Sequence, residues 1–341
     1  MKKSVSRQSK PGGYPLQYLM EPPKFQSIPK GLDLTTRIKN VTFPNPVTVA
    51  SGTFGTKGEY SPYVDLNMLG AIITKTITVK PRVGNPMPRI CETTGGMLNA
   101  IGLQNKGLAD FIENKIPYYR DICAPLIVNI AGETLNDFKT LVKELDGHQP
   151  VVKAIELNLS CPNVEAGGAG FMKKRERIIE VVAATRALTK LPLIAKLSPE
   201  LGDVAEIAVD LMREGIDALS LINTLKGLSV DVESRFSRLA NITGGLSGSA
   251  IKPIALYYVY EIKKRFNIPV IASGGIVTAL DAIEFLIVGA DLIAVGSANF
   301  VNPAATLDIL SGTIEYCKKQ KISRLQDLRG TFRGSPSGEK R

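Results

Sequence analysis

The sequence predicts an α/β protein built on a (β/α)8 TIM barrel, and three observations support this fold class. Short β-rich runs alternate with longer amphipathic stretches from about residue 47 onward. Several of these runs are almost continuously apolar, as expected of parallel strands that are buried on both faces. Eight such runs, each followed by room for a helix, favour a closed barrel over an open sheet.

The predicted strands can be placed from their apolar and β-branched residues. They are residues 47–50, 71–74, 126–130, 153–158, 193–197, 218–222, 269–273 and 292–295. Before them, residues 34–38 and 41–43 flank Lys39-Asn40, which predicts an N-terminal hairpin that plugs the barrel floor.

Helix-capping signals separate the strands. Asp203 and Glu206 predict a helix start, and Gly215 predicts its end. Thr278 with Asp281 predicts a second start, and Gly289 closes that helix.

The barrel is predicted to occupy residues 31–330. Residues 1–30 are expected to form a basic, flexible arm, and residues 331–341 a C-terminal tail. No apolar run reaches the ~18 residues of a membrane span, and the first thirty residues do not resemble a secretory signal. We therefore expect no membrane association.

The chain carries a formal net charge of +10. Part of this excess lies in the two tails, and no arginine-rich stripe is interleaved with aromatic residues. We interpret the charge as favouring solubility and small anions, and we expect no nucleic-acid partner.

Cysteine and histidine usage argues against a metal centre. The four cysteines, at positions 91, 123, 161 and 317, are far apart, and His148 is the one histidine. Zinc sites, iron–sulfur clusters and a disulfide framework built from this chain are all improbable. A reducing cytoplasm is the expected compartment.

Polar residues follow the predicted strands, where the reactive groups of such barrels cluster. In strand order they are Ser51-Gly52, Lys75-Thr76, Asn129, Asn158 with the segment 159–163, Lys196, Asn223-Thr224, Gly274-Gly275 and Gly296-Ser297. A barrel that only needed to pack would not require two lysines and three asparagines at the ends of its strands.

The two glycine pairs predict a phosphate site. In these barrels phosphates often bind at the loops after strands seven and eight, where backbone N–H groups converge. Gly275, Gly296 and the Ser297 hydroxyl could hold a phosphate in this way. Either pair alone is a weak signal, because glycine also simply turns strands.

Lys75 and Lys196 end apolar strands, where an unpaired ammonium group is costly. A salt bridge to a carboxylate at the mouth is one explanation. Few acidic residues occur at the neighbouring strand ends, so we expect an anionic ligand instead. The segment 95–105 is expected to be a glycine-punctuated loop that bends over a planar polar substrate.

Cys161 is the sharpest candidate for catalysis. A cysteine is usually a small buried apolar residue, but this one follows a strand and is flanked by Ser160, Pro162 and Asn163. A thiolate can act as a general base, and a nearby lysine lowers a thiol's pKa. The glycines at positions 167, 168 and 170 would let the loop act as a lid.

With these motifs the sequence closely resembles the class 1 dihydroorotate dehydrogenases, over roughly residues 30–330. The segment 156–163, Glu-Leu-Asn-Leu-Ser-Cys-Pro-Asn, is similar to their catalytic loop, in which cysteine is the base. The segments 84–89 and 95–105 are most similar to the two-component, NAD-linked subclass 1B. The resemblance implies oxidation of dihydroorotate to orotate in pyrimidine (UMP) biosynthesis, with one FMN per chain and no metal.

The resemblance also implies roles for individual residues. Catalysis is assigned to Cys161. The substrate-binding residues would be Lys75, Asn99, Ile101, Gly102, Leu103, Asn158, Asn163, Asn223 and Thr224. The cofactor-binding residues would be Ser51, Gly52, Lys75, Thr76, Asn129, Asn158, Lys196, Ile222, Gly248, Gly274, Gly275, Gly296 and Ser297.

The partners implied by subclass 1B are a second copy of the chain and a separate electron-transfer subunit. That subunit would carry FAD and a [2Fe–2S] cluster, reduce NAD+ and complete a heterotetramer. Two other enzymes remain as alternatives: a class 1A homodimer that uses fumarate, and a tRNA dihydrouridine synthase. A non-catalytic anion-binding barrel conflicts with the lysine, amide and thiol groups at the strand ends.

Overall fold

Strands and helices alternate along the chain in the computed structural model, which describes residues 27–159 and 174–334. The strands, in chain order, are β1 (Thr36–Ile38), β2 (Val41–Phe43), β3 (Val47–Val49), β4 (Ile72–Ile73), β5 (Ile90–Thr93), β6 (Gly96–Asn99), β7 (Leu126–Ile130), β8 (Val152–Asn158), β9 (Leu193–Leu197), β10 (Ala218–Leu221), β11 (Leu225–Leu228), β12 (Thr243–Ser247), β13 (Val270–Ser273) and β14 (Leu292–Val295). The α-helices are α1 (Gly107–Asp110), α2 (Ile116–Tyr119), α3 (Leu135–Asp146), α4 (Arg175–Arg186), α5 (Val204–Arg213), α6 (Lys252–Arg265), α7 (Ala279–Ile287), α8 (Ala298–Val301) and α9 (Ala305–Lys319).

Parallel strands form a ring in the order β3, β14, β13, β10, β9, β8, β7, β4. The two ends of this sheet meet through a parallel bridge between Thr48 and Ala71, where the Thr48 hydroxyl donates to the Ala71 carbonyl at 2.7 Å. The ring is therefore a (β/α)8 barrel, as predicted. All eight predicted strands are present, and three of them match to the residue: β7, β9 and β14.

An apolar layer fills the floor of the barrel. Alternate residues of a strand share one face, and the inward positions carry Ile73, Ile127, Ile194 and Ile271 among others. The hairpin β1–β2 adds fully buried Phe43 and its neighbours to the same cluster. The expectation that this hairpin plugs the floor is confirmed.

The predicted caps define the helix starts. The Asp203 carboxylate accepts from the backbone amides of Ala205 and Glu206 and so begins α5. The start of α7 is a full capping box, in which Thr278 and Asp281 each accept from the other's backbone amide.

An antiparallel sheet that the sequence did not predict lies outside the barrel, with strand order β11, β12, β6, β5. Four of the eleven residues of the segment 95–105 belong to it, because Gly96–Asn99 is a strand paired with β12. The expectation of a loop throughout this segment was therefore wrong. A Cβ on Gly96 would lie 1.9 Å from the Ser247 carbonyl oxygen, so this glycine permits close strand pairing.

Three stretches lie outside the described residues: 1–26, 160–173 and 335–341. They contain most of the predicted arm and tail, and they contain the segment with Cys161 and Asn163. The proposed division into arm, barrel domain and tail stays a prediction. Within the described ranges, no helix is long and apolar enough to cross a membrane.

Candidate functional site

A polar layer lies directly above the apolar floor of the barrel. Because side chains return to the same face every second residue, Asn129 follows Ile127 and Lys196 follows Ile194 on the inner wall. On the strand between them, Glu156 occupies the equivalent inward position. Asn129 and Glu156 are fully buried and Lys196 is 6% exposed. The sequence therefore places an amide, a carboxylate and an ammonium group inside the barrel.

These three side chains contact one another and the first barrel strand. Asn129 Nδ2 donates to Glu156 Oε1 at 2.5 Å, and Lys196 Nζ lies 3.9 Å from the same oxygen. Lys196 Nζ also donates to Ser51 Oγ at 3.0 Å. The expectation that Lys196 has an anionic ligand rather than a carboxylate of the chain as its partner was wrong, because a carboxylate from the neighbouring strand faces it. Only residues at the ends of the predicted strands were considered as candidates. Glu156 lies two residues before the end of β8 and was therefore overlooked.

Two oxygens of this cluster lack a hydrogen-bond donor among the described residues: Asn129 Oδ1 and Glu156 Oε2. Buried acceptors are normally satisfied, so each oxygen indicates a donor that a ligand or a water molecule supplies. A flavin has a ring N–H and ribityl hydroxyl groups that suit such acceptors, and its carbonyl oxygens suit the Lys196 ammonium. The residues of the polar layer therefore fit the pyrimidine end of a flavin.

A second set of amides forms a chain across the mouth. The Thr224 backbone amide donates to Asn223 Oδ1 at 2.8 Å, and Asn223 Nδ2 donates to Asn158 Oδ1 at 3.2 Å. Asn158 Nδ2 lies 3.4 Å from Thr76 Oγ1. An amide nitrogen only donates and an amide oxygen only accepts, so these bonds determine the orientation of the Asn223 and Asn158 amides. Asn158, Asn223, Thr224 and Thr76 are thus brought together as predicted.

Lys75 follows β4 by two residues and is half-buried on the wall of a cavity of about 520 Å³. Burial lowers the pKa of Lys75, the nearby Arg89 charge lowers it further, and Glu59 opposes the shift. No carboxylate of the described residues lies within salt-bridge distance of Lys75. An anionic ligand would remove the penalty of burying this charge.

The cavity beside Lys75 has a predominantly basic lining. Four cationic side chains line it, Lys75, Arg82, Lys106 and Lys115, against the acidic Glu59 and Asp110. The Glu59 carboxylate is partly buried, which opposes ionisation. Hydrogen bonds from the backbone amides of Glu59, Lys57 and Thr56 and from the Thr56 hydroxyl outweigh that effect and lower its pKa to about 2. Arg82 is paired with Glu133, but the three lysines still outnumber the two acidic side chains, and this excess of positive charge favours a small anion.

The segment after β6 brings further predicted substrate residues to the edge of the site. Asn99 Nδ2 donates to the Gly245 carbonyl at 3.2 Å, and the Ile101 carbonyl accepts from the Asn85 amide at 3.0 Å. Gly102 and Leu103 both have positive φ angles, +74° and +56°. At Gly102 a Cβ would lie 2.6 Å from Asn85 Oδ1, so only glycine fits there.

The two glycine pairs are neighbours, as predicted. The parallel register pairs Ser273 with Ala294, so Gly275 and Gly296 lie side by side two residues later. The amides of Gly275, Gly296 and Ser297 have no backbone acceptor in the part of the chain that the structure describes. A Cβ on Gly296 would meet only Ala50 Cβ, at 3.7 Å, so open space lies in front of it. Free amides beside open space suit a phosphate.

The remaining predicted cofactor residues differ in their surroundings. Ile222 is buried, and Gly274 packs near it, its Cβ position lying 3.6 Å from Ile222 Cγ1. Gly248 has a φ of +106°, and a Cβ there would lie 2.4 Å from Gly96 Cα, which gives it a structural reason to be glycine. Gly52 is exposed with a φ of +81° and nothing near its Cβ position.

Metal-binding residues do not cluster in the described ranges, where no group of three or more His, Cys, Asp or Glu side chains could hold an ion. Cys161 and Asn163, predicted as the base and as a substrate ligand, lie outside these ranges. The structure nevertheless describes the chain before them as far as Leu159. The last residues of β8 contribute to the polar layer and to the amide chain.

Comparison with known proteins identifies relatives of this chain. The family model of dihydroorotate dehydrogenase matches residues 33–316. The chain is 48% identical over 301 residues to the protein named dihydroorotate dehydrogenase B (NAD(+)), catalytic subunit, of Geotalea daltonii, a match covering 88% of this chain and 98% of the relative. The protein of the same name from Alkaliphilus metalliredigens is 46% identical over 301 residues, covering 88% and 99%.

Among solved structures, the chain is similar to the DHODH of Eimeria tenella, which was crystallised in complex with ferulenol. The two share 25% sequence identity and a TM-score of 0.72, and the match covers 88% of each chain.

Proposed function

The chain belongs to the dihydroorotate dehydrogenase family and catalyses the oxidation of dihydroorotate to orotate in pyrimidine biosynthesis, and from this premise we propose how its residues perform the reaction. The observation that carries the proposal is the arrangement inside the barrel mouth. A buried Asn129–Glu156–Lys196 cluster lies beside an amide chain and a half-buried lysine.

We propose that the flavin of this enzyme is FMN, held at its phosphate and at the pyrimidine end of its ring. The amides of Gly275, Gly296 and Ser297 hold the phosphate. Asn129 and Lys196 hold the pyrimidine end of the ring, and Ser51 supports the Lys196 ammonium group from the first strand. Bound FMN supplies the acceptor for the hydride that leaves C6 of dihydroorotate.

The substrate residues hold an anion and orient a ring. The Lys75 ammonium pairs with the carboxylate of dihydroorotate, an ion pair that the basic lining of the cavity favours. Asn99, Asn158 and Asn223 orient the ring through their amides. The bond from Asn223 to Asn158 and the bond from Asn99 to the Gly245 carbonyl fix the direction of these amides. Cys161 takes the proton from C5 while C6 loses its hydride, so a double bond forms between these carbons.

The partner of this chain is proposed from the names of its relatives, which are catalytic subunits of NAD(+)-linked enzymes. We propose that a second subunit carries FAD and a [2Fe–2S] cluster and passes electrons to NAD+. Two copies of each subunit would form a heterotetramer around a catalytic homodimer.

Anaerobic titration of the purified protein with dihydroorotate tests the reaction. The protein should show a flavin absorption spectrum, and dihydroorotate should bleach it stoichiometrically. Acid-released flavin should be FMN rather than FAD. A flavin that dihydroorotate leaves oxidised, while another dihydropyrimidine reduces it, would contradict the proposal and favour a dihydrouridine synthase.

A further inference from the structure

The buried carboxylate of Glu156 has no role in the chemistry described above, although it occupies the centre of the polar layer. It is fully buried, and its Oε2 has no hydrogen-bond partner in the described ranges. An isolated carboxylate inside a protein is costly, so a position like this one requires compensation from its neighbours. The neighbours of Glu156 are Asn129 and Lys196, the two side chains proposed to contact the flavin ring.

Glu156 fixes the orientation of the Asn129 amide. A carboxylate is only an acceptor, so the 2.5 Å contact to Glu156 Oε1 must come from Asn129 Nδ2. The other end of the same amide, Oδ1, is thereby left without a donor inside the barrel. With Glu156 in place, Asn129 presents an acceptor to a ligand N–H.

Glu156 also reduces the positive charge that a ligand experiences from Lys196. The Lys196 ammonium lies 3.9 Å from Glu156 Oε1, beyond hydrogen-bond distance, while its 3.0 Å contact is with the Ser51 hydroxyl. Two opposite charges at this separation inside a barrel are weakly screened by solvent. Their joint field at the flavin ring is therefore much smaller than that of Lys196 alone.

We propose that Glu156 is a positioning residue that acts through Asn129 and Lys196 to set both the orientation of the flavin ring and the reduction potential of the bound flavin. This inference rests on the proposed function, since it takes the ligand of the polar layer to be FMN. Reduction adds negative charge to the flavin ring, so the negative charge of Glu156 lowers the affinity for reduced FMN more than for oxidised FMN.

The Glu156→Gln variant tests this inference by spectroelectrochemistry and by titration of apoprotein with oxidised and with reduced FMN. Glutamine keeps the shape of the side chain and removes its charge. The dissociation constant for oxidised FMN, divided by that for reduced FMN, should rise about tenfold. This corresponds to an upward shift of ~30 mV in the two-electron reduction potential of the bound flavin. A role in folding alone would leave this ratio unchanged.

Asp291→Asn is the matched control. Asp291 is also a buried acid that pairs with a lysine, Lys263, at 3.1 Å, but it immediately precedes β14 and so lies at the opposite end of the barrel. Its variant should lose stability without any change in the flavin potential. A wild-type potential and affinity ratio in Glu156→Gln would overturn the inference. Wild-type protein that binds no FMN would instead overturn the proposed cofactor.

A double variant tests whether Glu156 acts through Lys196, and it remains informative if Glu156→Gln alone does not fold. Lys196→Gln alone leaves the buried Glu156 charge facing the flavin and should weaken FMN binding severely. Adding Glu156→Gln to Lys196→Gln removes that charge and should recover at least about tenfold of the lost affinity, a non-additivity expected of residues in contact. The inference would be contradicted by a double variant that neither folds better nor binds FMN more tightly than either single variant.

Discussion

At the scale of single residues, the proposed reaction depends on Cys161 as its proposed base. An ordinary thiol has a pKa of about 8.5, so flavin reduction should accelerate with pH until the thiol is ionised. Replacing Cys161 by alanine should slow the reduction of the flavin by about 10²–10⁴-fold, the usual loss when a general base is removed. Cys161→Ser should keep some activity, with its pH profile shifted upward. Stopped-flow reduction by dihydroorotate measures both effects, and a wild-type rate in Cys161→Ala would disprove the assignment.

Lys75 should control the affinity for orotate. Loss of a charged hydrogen bond to a partly buried carboxylate costs about 1.5–3 kcal/mol, so Lys75→Ala should weaken orotate binding by roughly ten- to a hundredfold. Because the pKa of Lys75 is lowered by burial and by Arg89, the wild-type protein should lose orotate affinity as alkaline pH deprotonates this amine. The affinity of the variant should not show this dependence. Perturbation of the flavin spectrum by orotate gives the dissociation constants.

Lys106→Ala is the control for Lys75, because Lys106 lines the same cavity but is exposed. It should change orotate affinity only slightly, since exposed charges are screened by solvent. Equal losses in the two variants would mean that the general positive potential of the cavity, rather than a specific ion pair at Lys75, binds the anion.

Sequence patterns predicted which residues end the strands, but not what they contact. Asn129, Asn158, Lys196 and Asn223 were identified because polar residues stand out after apolar runs, and the structure brings them together. Glu156 was missed because a single acidic residue inside a strand has no distinguishing signal of its own. Its inward direction follows only from the strand's alternation together with closure of the barrel.

At the scale of elements, the turns after β13 and β14 should form the phosphate site. Gly296→Val fills the space in front of the free amides, so the purified variant should contain little FMN. Since a Cβ at Gly296 meets only Ala50 at 3.7 Å, the apoprotein should fold with near wild-type thermal stability. Full flavin occupancy in Gly296→Val would show that the phosphate binds elsewhere.

Gly275 offers a contrast that separates loss of the ligand from loss of the fold. A Cβ there would lie 2.6 Å from the Lys252 backbone nitrogen, and the residue has a φ of +74°. Gly275→Ala should therefore destabilise the protein itself as well as release FMN. Thermal unfolding of the two apoproteins distinguishes these outcomes.

The barrel elements could be predicted from sequence, whereas the antiparallel sheet could not. Buried parallel strands are runs of apolar residues, a strong signal. The strands β6 (Gly96–Asn99) and β12 (Thr243–Ser247) are short, rich in glycine and far apart in sequence. Their pairing depends on close backbone approach at Gly96 and Gly244, and hydrophobic periodicity does not record such contacts.

At the scale of the whole molecule, the net charge of +10 invites the idea that an acidic partner binds the basic cluster at residues 173–177. The structure weakens this idea for the part of the cluster that it describes. Arg175 pairs with Glu206 and Asp210 of helix α5, and Arg177 pairs with Glu180. Arg175 therefore links α4 to α5, and Arg177 pairs with a residue one turn further along α4. The charges of both arginines are already partly neutralised.

The electron acceptor is the property of the whole assembly that most needs a test. The chain has no Gly-x-Gly-x-x-Gly motif after a strand, and a closed barrel lacks the open-sheet crevice at which dinucleotides bind. We therefore expect the isolated chain to reduce NAD+ hardly at all. It should still reduce an artificial dye readily with dihydroorotate as donor. Adding the proposed FAD and [2Fe–2S] subunit should restore NAD+ reduction, and residual charge attraction between the subunits should make their association weaker at high salt. Steady-state assays with dye, NAD+ and fumarate, with and without the second subunit, measure these differences. Efficient turnover of the chain alone with fumarate, in a homodimer, would contradict the two-subunit proposal and identify the enzyme as class 1A.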